Sequence, residues 1–159
     1  MNRQELYYQV AHSQKAEQEQ RNRQLEIKAT WTLGFASTLV GVAVIVLKDF
    51  SGSGDLSFDT PTLLVLVGFV LAFLSIVVSA LNVIRIRTWR HDPILADFAK
   101  VLYDYEEDGL TEWAGDQFKN AVEANEGLLT AKAKSVTWSL GSLAALVLFL
   151  GALSITIRF

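Results

Sequence analysis

Acidic residues recur at alternate positions in residues 104–109, which read DYEEDG. Oxygen ligands at the first, third and fifth positions, with glycine at the sixth, open a calcium-binding helix–loop–helix motif. That motif ends on a bidentate glutamate at its twelfth position, where this chain has Gly115. Its eighth position is apolar, whereas here it is Thr111. The pattern therefore favours an acidic helix end and turn over a calcium site.

The remaining chemistry-bearing residue types are sparse. His12 and His91 are the only histidines, they lie in different segments, and the chain has no cysteine, so a zinc site is not expected. No glycine-rich phosphate loop and no G-x-S-x-G nucleophile turn occurs in the sequence. We expect no enzymatic activity, no metal and no cofactor. With a net charge of −3, we also expect no nucleic-acid partner.

Small and hydroxyl-bearing residues recur at helical spacing within three apolar segments. In lipid, such residues let helices approach closely and form hydrogen bonds between them. Two interpretations stay open: packing of helices within or between protomers, which is favoured, and the lining of a pore. The candidate faces are Gly34, Ser37 and Gly41 in the first segment, Gly68, Ala72, Ser75, Ser79 and Asn82 in the second, and Ser135, Ser139 and Ser142 in the third.

A basic cluster follows the second apolar segment at once and consists of Arg85, Arg87 and Arg90. Arginines in this place commonly fix the orientation of a membrane protein. The same side chains are candidates for contact with anionic lipid headgroups or with a nucleotide phosphate.

Three long segments position these residues, and none of them contains Asp, Glu, Lys or Arg: 29–47, 61–84 and 135–157. Uncharged apolar runs of 18 residues or more are typical of membrane-spanning helices, so an ordinary soluble enzyme is excluded. The absence of cysteine excludes a disulfide scaffold. Ion-coupled transporters and proton pumps usually carry an ionisable group inside a span, so the uncharged spans argue against both classes.

The basic residues are distributed asymmetrically around the spans. Twelve of the fourteen lysines and arginines lie in residues 1–28 or 85–134, and the other two are Lys48 and Arg158. The positive-inside rule then predicts a cytoplasmic N-terminus and an extracytoplasmic C-terminus in the inner membrane. Trp31, Trp89 and Trp138 lie at the predicted cytoplasmic edges of the spans, where amphipathic rings prefer to sit.

The segments between the spans are predicted to be helical or short. Residues 1–28 contain neither Gly nor Pro and predict a cytoplasmic helix, beginning near residue 3, that continues into the first span. Residues 48–60 are a short extracytoplasmic loop, and residues 85–134 form a cytoplasmic helical hairpin. In that hairpin Asp92 and Pro93 start one helix, Gly109 ends it, and Thr111 caps a second helix that continues into the third span. The expected fold is all-α, with residues 1–159 as a single membrane unit.

Two polar segments that lead into spans carry a resemblance to a known family. They are residues 26–30 (EIKAT), before the first span, and residues 123–134 (EANEGLLTAKAK), before the third. With the short outer loop and the cytoplasmic hairpin, this layout resembles the small membrane effectors of prokaryotic anti-phage nucleotide-signalling operons. These are the Pycsar transmembrane effectors and the related SLATT group.

The resemblance implies a homo-oligomeric effector that responds to a cyclic nucleotide or a signalling partner protein. Such an effector compromises the inner membrane and so stops phage replication. The resemblance implies no catalytic residues in this chain. We therefore expect a membrane-disrupting or channel-forming effector whose partners are the lipid bilayer and further copies of itself. The alternative is a non-conducting structural or scaffold protein whose cytoplasmic helices bind a partner.

Overall fold

The structure is a computed structural model, and it describes residues 3–51, 60–85 and 107–156. This part of the chain forms three α-helices: α1 (Arg3–Ser51), α2 (Thr60–Ile84) and α3 (Glu107–Thr156). Each of them contains a stretch long and apolar enough to cross a membrane. The predicted all-α class and the three apolar helices are therefore confirmed, and the chain is a multi-pass membrane protein.

Helix α1 is one uninterrupted helix of 49 residues. Its first 31 residues contain no glycine or proline, and Gln, Glu, Arg and Ala dominate its middle. The predicted continuity of the N-terminal helix with the first span is confirmed. Lys48 lies in its last turn, where a cation interacts favourably with the helix dipole.

Helix α3 begins earlier than the sequence predicts. Its described part runs from Glu107 without a break, so Gly109 and Thr111 lie inside one helix, and the assignment of Gly109 as a helix end and Thr111 as the next cap is wrong. Glycine in a helix costs about 1 kcal/mol relative to alanine, which this 50-residue helix tolerates. The predicted continuation into the third span is confirmed.

The chain divides into two compact units. We call residues 1–24 and 86–131 the polar unit, and residues 25–85 and 132–159 the span unit. The first arm of the predicted hairpin (residues 85–106) lies outside the described residues except for Arg85, and so does most of the predicted loop 48–60.

The core of the span unit is made of small and branched apolar side chains from all three helices. Ala29 of α1 packs with Ala80 and Val83 of α2 and with Val136 of α3. A second cluster, later in α1 and α3 but earlier in α2, consists of Ala36, Ala43, Phe69, Ala72, Ile76 and Leu146. Low residue numbers of α1 thus meet high residue numbers of α2, so these two helices are antiparallel.

The outward surface of the span unit is apolar. Large side chains such as Trp31, Leu64 and Leu148 are 65%, 65% and 74% exposed. Contiguous apolar surface of this extent is unfavourable in water and suits the hydrocarbon of a bilayer. The distribution explains why these helices are apolar all round, whereas a soluble helix keeps one polar face.

Candidate functional site

An ion pair joins α1 to α3 at the end of the span unit where both apolar segments begin. Lys132 Nζ donates to Glu26 Oε1 at 2.7 Å. The Lys132 side chain is only 6% exposed, whereas that of Glu26 is 41% exposed. A buried ammonium is tolerable only beside a compensating acceptor, because its desolvation is expensive. The pair therefore fixes the axial position of α1 relative to α3 at this end.

Further along the spans, α2 and α3 are joined by their hydroxyl-bearing faces. The Oγ atoms of Ser75 and Ser142 lie 2.9 Å apart, and either hydroxyl can donate this hydrogen bond. Ser139 is fully buried, and its hydroxyl donates to the carbonyl oxygen of Val136 on its own helix at 2.9 Å. The structure thus brings the predicted faces of the second and third spans together, with Ala72 buried in the same core.

Gly68 allows the ring of Phe149 on α3 to approach the backbone of α2. A Cβ atom built on Gly68 would lie 2.6 Å from two ring atoms of Phe149. Carbon atoms in real structures do not come so near, so the ring occupies the space that a side chain would need. The pairs 68–149 and 75–142 also show that α2 and α3 are antiparallel, because one residue number falls as the other rises.

The predicted face of the first span lies on the outside of the span unit. Gly34, Ser37 and Gly41 are exposed, and a Cβ on either glycine would meet nothing within 4 Å. At 3.6 residues per turn, Gly34 lies about 160° around the helix from the buried Ala36. Helix α1 packs through a row of alanines instead. The assignment of Gly34, Ser37 and Gly41 to a pore or to a contact between copies stays a prediction.

The hydroxyls on this outer side of α1 bond within their own helix. Ser37 Oγ donates to the carbonyl oxygen of Leu33 at 2.9 Å, and Thr38 Oγ1 donates to that of Gly34 at 3.1 Å. Such bonds to the preceding turn remove the cost of placing a free hydroxyl in hydrocarbon. The face can therefore remain in lipid until another helix covers it.

The other predicted residues lie at the same end of the span unit as the ion pair. Ser79 and Ser135 are half-buried, and Asn82 and Arg85 are exposed. Arg87 and Arg90 lie outside the described residues. An exposed Asn82 close to a helix end agrees with a place among lipid headgroups rather than in the core of a pore.

Within the polar unit, hydrogen bonds join α1 to α3 in register. Tyr7 Oη donates to Asp116 Oδ1 at 2.7 Å. Gln18 Nε2 donates to the carbonyl oxygen of Val122 and to Glu126 Oε2, both at 3.0 Å. In this unit the two helices are parallel, because both residue numbers rise together. The Tyr7 ring also packs against Gly115, where a Cβ would lie 2.6 Å from the ring.

The environment of Tyr7 disfavours loss of its proton. The hydrogen bond to Asp116 raises the pKa of Tyr7 to about 12, with burial and the nearby charges of Asp116, Glu112 and Glu123 adding to the effect. A phenolate would lose the bond and would face these carboxylates. The phenol therefore acts as a neutral hydrogen-bond donor over the physiological range.

His12 belongs to an aromatic cluster of the polar unit. Its ring stacks on Tyr8 with centroids 6.0 Å apart and meets the edge of Phe118 at 5.3 Å. The ammonium of Lys15 lies 5.0 Å from the Phe118 centroid, within cation–π range. His12 is thus part of the packing between helices. His91 lies outside the described residues.

The pair Glu26–Lys132 was not predicted from the sequence, although a signal for it exists. Glu26 lies three residues before the first uncharged segment, and Lys132 lies three residues before the third. Helices α1 and α3 run in the same direction into their apolar segments. Two residues that precede these segments by the same number of positions therefore lie side by side, as Glu26 and Lys132 do. Spacing measured from the edge of each span would have identified the pair.

These contacts hold helices together, and they do not form a catalytic arrangement. Among the described residues, no group of three or more His, Asp or Glu side chains could hold a metal ion. Residues 104–106 of the acidic run lie outside the described part of the chain. The chain matches no protein-family model, and no curated protein or solved structure is similar to it.

Proposed function

We propose that this chain is a membrane effector of anti-phage defence that oligomerises and opens a pore, or disrupts the inner membrane, in response to a nucleotide or partner-protein signal. The observation that supports it best is the second small-residue face on α1. Gly34, Ser37 and Gly41 are left exposed after α1 has packed against α2 and α3 through its alanines. Small residues on a lipid-exposed face are typical of contacts between membrane helices.

The orientation supports a cytoplasmic sensor. With the N-terminus cytoplasmic, the polar unit and the end of the span unit that carries Glu26 and Lys132 lie on the cytoplasmic side. A nucleotide or a partner protein in the cytoplasm then reaches the part of α3 that precedes the third span. The described arm of the cytoplasmic hairpin is residues 107–134 of α3, continuous with that span.

The mechanism is a shift between two packings of the spans. In the resting packing the span unit is closed by the alanine row of α1, the Ser75–Ser142 bond and the ion pair. A ligand that binds the protein more tightly in a second packing than in the resting one increases the population of the second packing. The size of the shift depends on the ratio of the two affinities. In the active packing, the exposed faces of α1 from several copies meet and surround a water path.

Dye release from vesicles tests this proposal. The full chain is reconstituted into phosphatidylethanolamine–phosphatidylglycerol vesicles that contain carboxyfluorescein, and a panel of cyclic mono- and dinucleotides is added. We expect one member of the panel to cause leakage. Leakage should be lost in the variant Gly34→Leu/Gly41→Leu, because leucine blocks close approach of the α1 faces.

Gly141→Leu is the matched control. Gly141 is an exposed glycine in the apolar part of α3, and a Cβ there also meets nothing within 4 Å. Vesicles with the Gly141→Leu variant should therefore release as much dye as vesicles with the original protein. Absence of leakage under every ligand, with the protein correctly inserted, would refute the pore and favour the alternative of a non-conducting scaffold. Crosslinking in the same vesicles gives the oligomeric state independently.

A further inference from the structure

Three exposed cations and two exposed tryptophans lie at one end of the span unit. They are Lys28 and Trp31 on α1, Arg85 after α2, and Lys134 and Trp138 on α3. We propose that this collar is a binding surface for anionic phospholipid headgroups. The collar adds α1 and α3 to the predicted lipid contact at Arg85, and its action is independent of pore opening.

Each lysine shares a helix face with a tryptophan. Lys28 precedes Trp31 by three residues and Lys134 precedes Trp138 by four, spacings that place two side chains on one face. Trp31 is 65% exposed and Trp138 is 72% exposed. Tryptophan prefers the interface between headgroups and hydrocarbon, so each ring sets the depth at which its lysine meets phosphate.

The ion pair brings the two lysines to the same height. Lys28 follows Glu26 by two residues, and Lys134 follows Lys132 by two residues. The contact of 2.7 Å between Glu26 and Lys132 holds α1 level with α3. Two residues correspond to about 3 Å along each helix, so both lysines lie at the same level, one step nearer to the apolar segments than the pair.

Arg85 joins them from the antiparallel helix. It follows directly after Ile84, the last residue of α2, and is exposed. Ala80 and Val83 in the final turns of α2 pack against Ala29 and Val136, so this end of α2 lies beside the start of both other spans. All three helices of the span unit therefore contribute one cation at this end.

The charge of the collar is not neutralised within the described part of the span unit. The nearest acid, Glu26, is engaged by the buried Lys132. Lys28, Lys134 and Arg85 form no ion pair among the described residues. Three cations beside apolar, outward-facing rings complement a phosphodiester at a membrane surface. A free phosphate would gain nothing from the rings, so the geometry favours the lipid as the source of the phosphate.

Native mass spectrometry of the full chain, released from nanodiscs of mixed phosphatidylglycerol and phosphatidylcholine, tests the collar. The variant Lys28→Gln/Lys134→Gln removes two cations, and Lys48→Gln/Lys119→Gln removes two exposed cations elsewhere in the chain. A basic residue near an anionic surface is worth about 1 kcal/mol, so the collar variant should lose up to about 30-fold in preference for phosphatidylglycerol. The control variant should keep that preference.

Two outcomes would overturn the proposal. One is an equal loss of preference in the collar and control variants, which would mean that only total charge matters. The other is loss of bound phosphatidylglycerol when millimolar inorganic phosphate is added, which would make the collar a site for free phosphate. The assay needs no leakage, so failure of the pore proposal would leave its result unaffected.

Discussion

Removing Glu26 is expected to destabilise the protein more than removing Lys132, although both changes break the same ion pair. The asymmetry follows from burial, because the Lys132 side chain is 6% exposed and the Glu26 side chain is 41% exposed. Glu26→Gln leaves a buried ammonium without this carboxylate. Lys132→Met leaves a carboxylate that reaches solvent and replaces the lysine by an apolar side chain of similar length.

The magnitudes differ enough to be measured. Removing one partner of a buried pair costs about 3–5 kcal/mol when the remaining charge is uncompensated. Lys132 takes part in a further interaction, so Glu26→Gln should cost less than this and more than an exposed pair. An exposed ion pair is worth about 0–1 kcal/mol. Because Glu26 remains partly solvated, Lys132→Met should cost no more than that, and apolar packing by methionine offsets part of the loss.

Reversible unfolding in mixed micelles of a mild detergent and SDS, followed by circular dichroism, measures the two differences. The double variant Glu26→Gln/Lys132→Met should recover most of the stability lost in Glu26→Gln, since it removes the buried charge as well. Glu17→Gln is the control, because Glu17 pairs with Arg21 at 2.6 Å but both side chains are about 60% exposed. It should change stability by less than about 1 kcal/mol.

Equal destabilisation by Glu26→Gln and Lys132→Met would refute this reasoning. It would mean that the pair stabilises the protein only through the contact between the two charges, and that burial of the Lys132 ammonium has no effect. A double variant no more stable than Glu26→Gln would refute it as well.

Three further predictions concern single contacts. A double-mutant cycle with Ser75→Ala and Ser142→Ala should give a coupling of about 0.6–1.7 kcal/mol in micelle unfolding, and additive losses would contradict the hydrogen bond between them. Gly68→Leu should destabilise the protein by about 1–3 kcal/mol through its clash with the ring of Phe149. Phe149→Leu should relieve part of that loss, and no rescue would contradict the clash. The pKa of Tyr7, about 12, predicts that its stabilising contact is complete below pH 10.0 and lost as the pH rises through about 12. In a tyrosinate absorbance titration, Tyr7→Phe should remove a transition near pH 12, and a transition near pH 12 that persists in this variant would contradict the shift.

The three apolar helices follow from the sequence because they depend on local properties. Charge-free runs define the spans, and the lack of glycine and proline before Gly34 allows α1 to be one helix. The helix boundary predicted at Gly109 and Thr111 was wrong because a single glycine costs only about 1 kcal/mol in a helix, which a helix of this length tolerates.

The choice of packing face was harder to predict, for a physical reason. In a soluble helix the buried face is apolar and the exposed face is polar, whereas both faces of a membrane helix are apolar. Helix α1 carries an alanine row and a glycine–serine row, and both are small enough for close packing. The structure places Ala36 and Ala43 in the core and Gly34 and Gly41 outside it. Only the shapes of α2 and α3 decide between the rows.

Packing in lipid also determines how strong a signal has to be. Between membrane helices there is no hydrophobic driving force, so close packing and a few polar contacts decide which arrangement is populated. In the span unit the polar contacts between helices include the Ser75–Ser142 bond, worth about 1 kcal/mol, and one ion pair at its edge. A signal that reverses a 1:99 equilibrium must supply about 5.5 kcal/mol of differential binding, within the range of one tightly bound small ligand. The ion pair couples α1 to α3 where both apolar segments begin. In the mechanism that we propose, a ligand acting on α3 there would change the span packing most directly by separating Glu26 from Lys132.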